Sequence, residues 1–300
     1  MTIQNKIQAI SAIKLSDTKS YFGEAHQALP LLVIDSPLCY ATICLQGAHL
    51  IEFAAKDKAP LLWASPKAEY KEGKAIRGGV PICFPWFGEN QLDKSKPGHG
   101  FVRNKIWQLD SAKELSDGRI SLTFSIESDE DSLTLFPYEF NAQFQIVLGN
   151  EIELKLATQN CSEQIMPISF ALHSYHPVSE LSEVKVEGLH FTTYLDNTSQ
   201  YQANIQQGDV VFDGEVDRLY LNVGNEQIIR TQTPIALRSD TCNSAIVWNP
   251  AAKKAAATAD LGEENYPSFV CVERGNAFSD SWYLTPGEIK QASLVIDYAE

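Results

Sequence analysis

Short stretches of alternating apolar and polar residues recur along almost the whole chain, and this period of two limits the fold more than any other feature. The clearest case lies between Phe140 and Gln159. Phe144, Ile146 and Leu148 alternate with polar residues, Gly149-Asn150 offers a turn, and Ile152, Leu154 and Leu156 resume the alternation on the return. Such text describes a β-hairpin with one face in a core and the other in water. Further strands are expected at Leu32–Ile34, Tyr40–Leu45, Ile106–Asp110, Ile120–Ile126, Ile168–His173, Val184–Glu187, Val210–Phe212, Arg218–Asn222, Ile228–Thr231, Ile235–Arg238, Ala245–Trp248, Phe269–Glu273 and Ala292–Ile296. Helical text is scarce. Pro66–Gly73 and Ala251–Ala259 have room for a turn or two, and neither sustains a 3.6-residue stripe. The expectation is an all-β sandwich or barrel, mostly antiparallel, with very little helix. No repeat, low-complexity linker or composition shift divides the chain. Residues 1–300 are therefore expected to form a single β-sandwich domain, with 1–29 as an N-terminal extension or first strands and 30–295 as the core.

Composition excludes several partners. With 44% hydrophobic residues the chain can bury a sizeable core, and its net charge of −14 offers no basic surplus to displace phosphate counterions from nucleic acid. An anionic small molecule would need a local basic pocket working against the overall field. No apolar run reaches the roughly 18 residues of a membrane span, and Met1–Ser20 lacks the apolar block of a signal peptide. Cys39, Cys44, Cys83, Cys161, Cys242 and Cys271 form no CxxC pair and read as reduced, mostly buried thiols. A cytoplasmic monomer is the expectation.

One window carries most of the chemistry. Arg77-Gly-Gly-Val-Pro-Ile-Cys-Phe-Pro-Trp-Phe-Gly88 is followed by His99-Gly-Phe-Val-Arg103. Arginine presents a rigid fork of donors suited to phosphate oxygens, and glycine lets the backbone approach a ligand. The window reads as one wall of a site for a small, polar, anionic ligand. Three other places stand out. In Phe170-Ala-Leu-His-Ser-Tyr-His176, a strand would send His173 and His176 to opposite faces, which argues against a two-histidine metal site. Taken alone, His173 is either an acid–base group or a satisfied half-buried histidine. Glu273 ends an apolar run, where a carboxylate needs a partner or a task, and Arg274 beside it offers an ion pair. Asp217-Arg218 alone reads as a solvated pair. Gly78-Gly79 lacks the rest of a dinucleotide fingerprint, and Asp129-Glu130-Asp131 lacks the spacing of a calcium loop. Burial of Cys83 and Cys271 would raise their thiol pKa values and argues against a thiolate nucleophile. Trp86 and Phe87 are open between core and ligand platform.

Taken in order, the motifs resemble the aldose 1-epimerase superfamily, and most of all its glucose-6-phosphate 1-epimerase branch. They are Gln46-Gly-Ala-His-Leu50, Ile76-Arg-Gly-Gly-Val-Pro81 through Phe-Pro-Trp-Phe-Gly88, and His99-Gly-Phe-Val-Arg-Asn104. Ala171-Leu-His-Ser-Tyr175, Val216-Asp-Arg-Leu-Tyr220, Val247-Trp-Asn-Pro250 and Phe269-Val-Cys-Val-Glu273 continue the set. Each motif is weak alone; the ordered set is specific. The resemblance implies a galactose-mutarotase-like β-supersandwich and an isomerase that exchanges the α and β anomers of a hexose 6-phosphate. It implies His173 as general acid and Glu273 as general base, with Arg77, His99, Arg103 and Asp217 binding substrate and Arg77 and Arg103 meeting the phosphate. Ring opening moves protons only, so the implied chemistry calls for neither nicotinamide nor metal. The chain departs from the pattern at His176-Pro177 and at Arg274, where a cation beside the base would weaken it unless it points away. The competing expectations are a mutarotase for free sugars such as galactose and a non-catalytic carbohydrate-binding module.

Overall fold

Antiparallel pairing carries nearly all of the architecture in the computed structural model of the chain, which describes residues 2–90 and 93–300. Two eight-stranded sheets dominate. The back sheet runs Lys185–Glu187, Glu226–Arg230, Ile235–Arg238, Ile289–Tyr298, Ile152–Asn160, Phe140–Leu148, Ile120–Glu127 and Gln108–Glu114. The expected hairpin lies within it, in continuous register from Phe140 opposite Asn160 to Leu148 opposite Ile152. Its alternation does what a half-buried strand requires: Ile152, Leu154 and Leu156 are buried while Lys155 between them is exposed.

The second sheet, here termed the site sheet, runs Gln202–Ile205, Thr193–Asp196, Val216–Tyr220, Ser244–Asn249, Phe269–Asn276, Phe170–Leu172 and Ile82–Cys83; Tyr175–Pro177 also pairs with Phe269–Asn276. All eight residues of Phe269–Asn276 are buried, so this central strand is covered on both faces. Val270 and Val272 enter the main apolar cluster together with Phe144, Leu154 and Leu294 of the back sheet. Phe269 and Cys271, on the opposite face, pack with Trp63 and Tyr175. The even side of the strand thus builds the core and the odd side is left for the site. A four-stranded sheet of Ile13–Asp17, Pro30–Asp35, Cys39–Cys44 and His49–Ala55 and a two-stranded pairing of Met166–Ile168 with Trp282–Leu284 complete the framework.

The structure corrects several local expectations. Ile13–Asp17 pairs with Pro30–Asp35, and Ile7, Ile10 and Ile13 join the main apolar cluster, so the first residues supply a strand and core contacts. Val210–Phe212 is not a strand; Val210 makes only a bridge to Val186. Pro66–Gly73 forms turns, not helix. The buried Gln46 side chain donates to the Lys71 and Lys74 carbonyls and accepts the Gly73 N–H, taking the groups a helix would have used. Asp129 caps the short helix Glu130–Leu135 through a reciprocal bond with Ser132 and pairs with Lys105, so the acidic triplet, which reads in the sequence as a solvated loop, opens a helix. The stretch Leu92–Pro97 reads in the sequence as a surface loop leading into the site; Leu92 lies outside the described residues, and 93–97 form turns and irregular chain. Ala251–Ala256 is helical. Among the described residues no helix is long and apolar enough to cross a membrane. Cys39, Cys44, Cys83, Cys242 and Cys271 are buried free thiols and Cys161 is an exposed one.

Candidate active site

Strand alternation assembles the floor of the site. In the adjacent strands Val216–Tyr220, Ser244–Asn249 and Phe269–Asn276, the residues Asp217, Leu219, Ile246, Trp248 and Glu273 share the face turned away from the back sheet, and all five line one cavity of about 750 Å3. Arg218 and Arg274 fall on the opposite face. Arg218 donates to Gln206 and lies over the Tyr194 ring, so Asp217 and Arg218 are not the solvated pair their adjacency suggests. Arg274 is fully buried between the sheets, where its guanidinium donates to the Gln227 side chain and the Cys242 carbonyl. It therefore points away from the cavity and leaves Glu273 its basicity.

The window Arg77–Arg103 forms the wall. Gly79 has φ +61°, and a Cβ there would stand 2.3 Å from the Leu50 carbonyl oxygen; at Gly100 it would stand 1.9 Å from that of Phe84. Only glycine fits either place. Backbone bonds join this wall to the histidine segment: Tyr175 N–H donates to the Gly79 carbonyl at 3.0 Å and His173 N–H to that of Pro81 at 2.9 Å. All six residues singled out by the resemblance, Arg77, His99, Arg103, His173, Asp217 and Glu273, line the same cavity. Trp86 and Phe87 divide between the two readings left open for them. Trp86 is buried against Phe101, whereas Phe87 reaches the cavity and meets the His99 ring edge to face at 4.9 Å.

At the floor, His173 Nδ1 lies 3.3 Å from Glu273 Oε1. The other carboxylate oxygen of Glu273 is buried and has no hydrogen-bond partner among the described residues. Burial, reinforced by the negative charge of Asp217 and opposed by Arg103, holds Glu273 well above the usual carboxylate range. Burial together with His99, Arg103 and Arg77 holds His173 well below its ordinary value. His173 is clamped flat against the Tyr175 ring, 4.8 Å between centroids and 6° between planes. His99, in a left-handed conformation at φ 63°, accepts the Gly88 N–H at Nδ1, which leaves Nε2–H as its donor. Burial with Arg103 and Arg77 pushes it down to about 3, so its ring is neutral. His176 takes no part: it is buried, bonded through Nδ1 to the Leu61 carbonyl, and pushed down to about 4 by burial.

The two arginines are held differently. Arg77 donates through Nε and Nη2 to Asp260 Oδ1 at 3.3 and 3.1 Å, and through Nη1 to the Tyr175 hydroxyl at 3.2 Å. Arg103 donates through Nη2 to the Gly98 carbonyl, and its buried Nε has no hydrogen-bond partner among the described residues. Lys94 and Lys254 also line the cavity, Lys94 paired with Glu89 and Lys254 with Glu215 and Asp217. This is the local basic pocket that an anionic ligand of a strongly acidic protein requires. Asp217 accepts from Asn197 at 2.9 Å and from Lys254 at 3.4 Å. Gln200 and Tyr201, both left-handed, line the cavity from the turn between Thr193–Asp196 and the edge strand Gln202–Ile205.

Among the described residues, one group could hold a metal ion: the donor atoms of His173, Cys271 and Glu273 lie within 4.8 Å of one another. Burial and Glu273 drive the Cys271 thiol well above its ordinary value, so ligation there would first have to remove a costly proton. Burial likewise pushes Cys83 up to about 12, and neither cysteine is a thiolate. Sequence reasoning gave no role to Tyr175, Asn197, Lys254 or Asp260. Tyr175 lies within a quoted motif; Lys254 sits inside, and Asp260 just after, an alanine-rich stretch with no chemical signature of its own.

Comparison with known proteins agrees with this geometry. The aldose 1-epimerase family model matches residues 30–297. A protein of Escherichia coli strain K12, provisionally named glucose-6-phosphate 1-epimerase, is 33% identical over 253 residues, covering 83% of this chain and 84% of its own length. A protein of Cenchrus ciliaris with the same provisional name is 34% identical over 263 residues, or 83% and 78% of the two chains. The crystal structure of a provisionally named mutarotase from Salmonella typhimurium superposes with a TM-score of 0.85 at 30% identity, covering 100% of both chains. The shared fold is the galactose-mutarotase-like β-supersandwich expected from the ordered motifs. With the motifs, the sheet order and these relatives in agreement, the chain belongs to the aldose 1-epimerase family.

Proposed function

We propose that this protein interconverts the α and β anomers of a hexose 6-phosphate, D-glucose 6-phosphate first among them, with Glu273 as base and His173 as acid. The observation that carries the reading is the Glu273–His173 contact of 3.3 Å at the floor of a cavity walled by the fixed Arg77 fork. Glu273 takes the proton of the C1 hydroxyl while His173 gives one to the ring oxygen. The C1–O5 bond breaks as the C1–O1 double bond forms. The aldehyde turns about C1–C2, O5 attacks the other face of C1, and each proton returns to the group it came from. No atom is lost and no electron changes hands. Each group acting in this way contributes on the order of 10²–10⁴-fold.

Neutral His99 offers Nε2–H, and Asp217, held by Asn197, accepts from sugar hydroxyls. Arg77 and Arg103 take the phosphate. The provisional name shared by the E. coli and Cenchrus ciliaris relatives supports the phosphorylated substrate. The decisive experiment is NMR exchange between the anomeric protons of glucose 6-phosphate with catalytic amounts of protein. Exchange above the spontaneous rate, lost in Glu273→Gln while binding persists, is the expected result. Exchange of free glucose alone would favour a free-sugar mutarotase, and binding without exchange a carbohydrate-binding module.

A further inference from the structure

Arg77 and His173 belong to one rigid assembly. Guanidinium has five N–H donors. Three are taken by Asp260 and Tyr175, which leaves one N–H on each terminal nitrogen of Arg77 without a protein partner among the described residues. Both partners are well buried, Asp260 at 9% and Tyr175 at 2% exposure, so the fork is fixed before any ligand arrives. The hydroxyl that receives Arg77 belongs to the ring that lies flat on His173. Two backbone bonds, from Tyr175 to Gly79 and from His173 to Pro81, lock the arginine segment to the histidine segment. A charge placed on Arg77 is thus held at a fixed position relative to His173.

The substrate has the matching shape. In a hexopyranose 6-phosphate, C5 carries both the ring oxygen and C6, so the phosphate hangs beside the oxygen that His173 must protonate. We propose that an oxyanion received by Arg77 switches His173 into its proton-donating form, so that the 6-phosphate drives the chemical step as well as anchoring the sugar. The proposal rests on the functional reading above. It adds that phosphate specificity is expressed in turnover, and that Asp260 and Tyr175 are positioning residues for it.

The electrostatics agree with the geometry. The titratable and charged groups about His173 are Glu273 and Cys271 of the central strand, Tyr175 of its own segment, and Arg77, His99 and Arg103 of the window. Asp217 acts on the pair through Glu273. Burial, with His99 and the arginines behind it, opposes an imidazolium on His173, while burial and Asp217 keep a proton on Glu273. That is the wrong partner for ring opening. A dianion on the arginines removes their opposition to an imidazolium on His173, the form that donates to the ring oxygen, and because Arg77 acts on His173 and not on Glu273, charge received by that fork moves the pair toward His173.

The test separates the phosphate from the sugar. Anomer exchange of free D-glucose is followed by NMR with the wild-type protein while phosphite dianion is titrated in as a detached phosphate. The expected result is saturable acceleration of glucose exchange by about tenfold or more, with the acid limb of its pH profile moved upward. The acceleration factor falls to one in Arg77→Met and drops several-fold in Asp260→Asn. Exchange of glucose 6-phosphate with no phosphite effect on glucose, or with phosphite acting only as an inhibitor, overturns this proposal and leaves the functional reading standing. Equal activation in Arg77→Met also overturns it. Absence of exchange with both sugars removes the functional reading and this proposal with it.

Discussion

The strands Phe269–Asn276 of the site sheet and Ile152–Asn160 of the back sheet are each hydrogen-bonded on both sides, and they differ in what their second face meets. The back strand turns Glu153, Lys155 and Gln159 outward, where water satisfies polar groups without help. The central strand turns Phe269, Cys271 and Glu273 toward the cavity side and Val270, Val272 and Arg274 into the core, with no residue left exposed. A charge on such a strand has to be answered by the protein itself. Arg274 is answered by carbonyls and an amide, and becomes a clamp between the sheets. Glu273 faces His173 and the cavity, with burial and Asp217 holding its proton. Two adjacent charged residues acquire opposite fates from a period of two.

Changes on the two strands break or sharpen this contrast. The largest effect is expected at Glu273→Gln, which keeps the shape and removes the base. Anomer exchange should fall by about 10²–10⁴-fold while calorimetric binding of glucose 6-phosphate persists; a variant with near-normal exchange would end the division of labour drawn here. Phe144→Ala in the back sheet should do the reverse. Loss of a fully buried ring costs about 3–5 kcal/mol of stability in urea titration, with kcat per folded molecule unchanged.

Acid should also distinguish the two regions. None of the back-sheet strands contains a histidine, whereas His49 and His176, both fully buried, are pushed down to about 4 around the site. Between pH 6.5 and 4 the unfolded chain binds protons that the folded one refuses. Stability is therefore complete above pH 6.5 and is lost as pH falls toward 4, by roughly 3 kcal/mol per histidine. Melting curves from pH 8 to 4 should show this slope, flattened in His176→Gln; an unchanged slope would assign the acid sensitivity elsewhere. The smallest effect is expected at Arg274→Met. Leaving the Gln227 amide and the Cys242 carbonyl without their donor costs about 1–3 kcal/mol, partly offset by removal of a buried charge. Denaturant midpoints should drop with kcat nearly intact, and a collapse of kcat instead would mean that Arg274 serves Glu273 after all.

What the sequence makes legible follows the same physics. The hairpin register from Phe140 to Asn160 is readable because one face is wet, so the alternation is written in residue type. Glu273 is readable because a carboxylate interrupts apolar text. The strands Thr193–Asp196 and Gln202–Ile205 escape notice because they are short, polar and largely exposed, with little apolar signal to read. Asp260 escapes because its meaning lies 183 residues away, in the fork of Arg77. Local pattern reports which face a residue takes, and only the closed fold reports whom it meets there.

The turn that carries Asn197, Gln200 and Tyr201 joins those two strands at the end of the sheet and lines a cavity whose floor is locked in the core. Mutation can therefore rewrite the rim at little thermodynamic risk, since these two strands bury little, while His173 and Glu273 below stay fixed by packing that few changes survive. Over evolutionary time such an arrangement lets a lineage change which sugar it admits without relearning how to open the ring. The sheet's open edge is where new substrates would be tried.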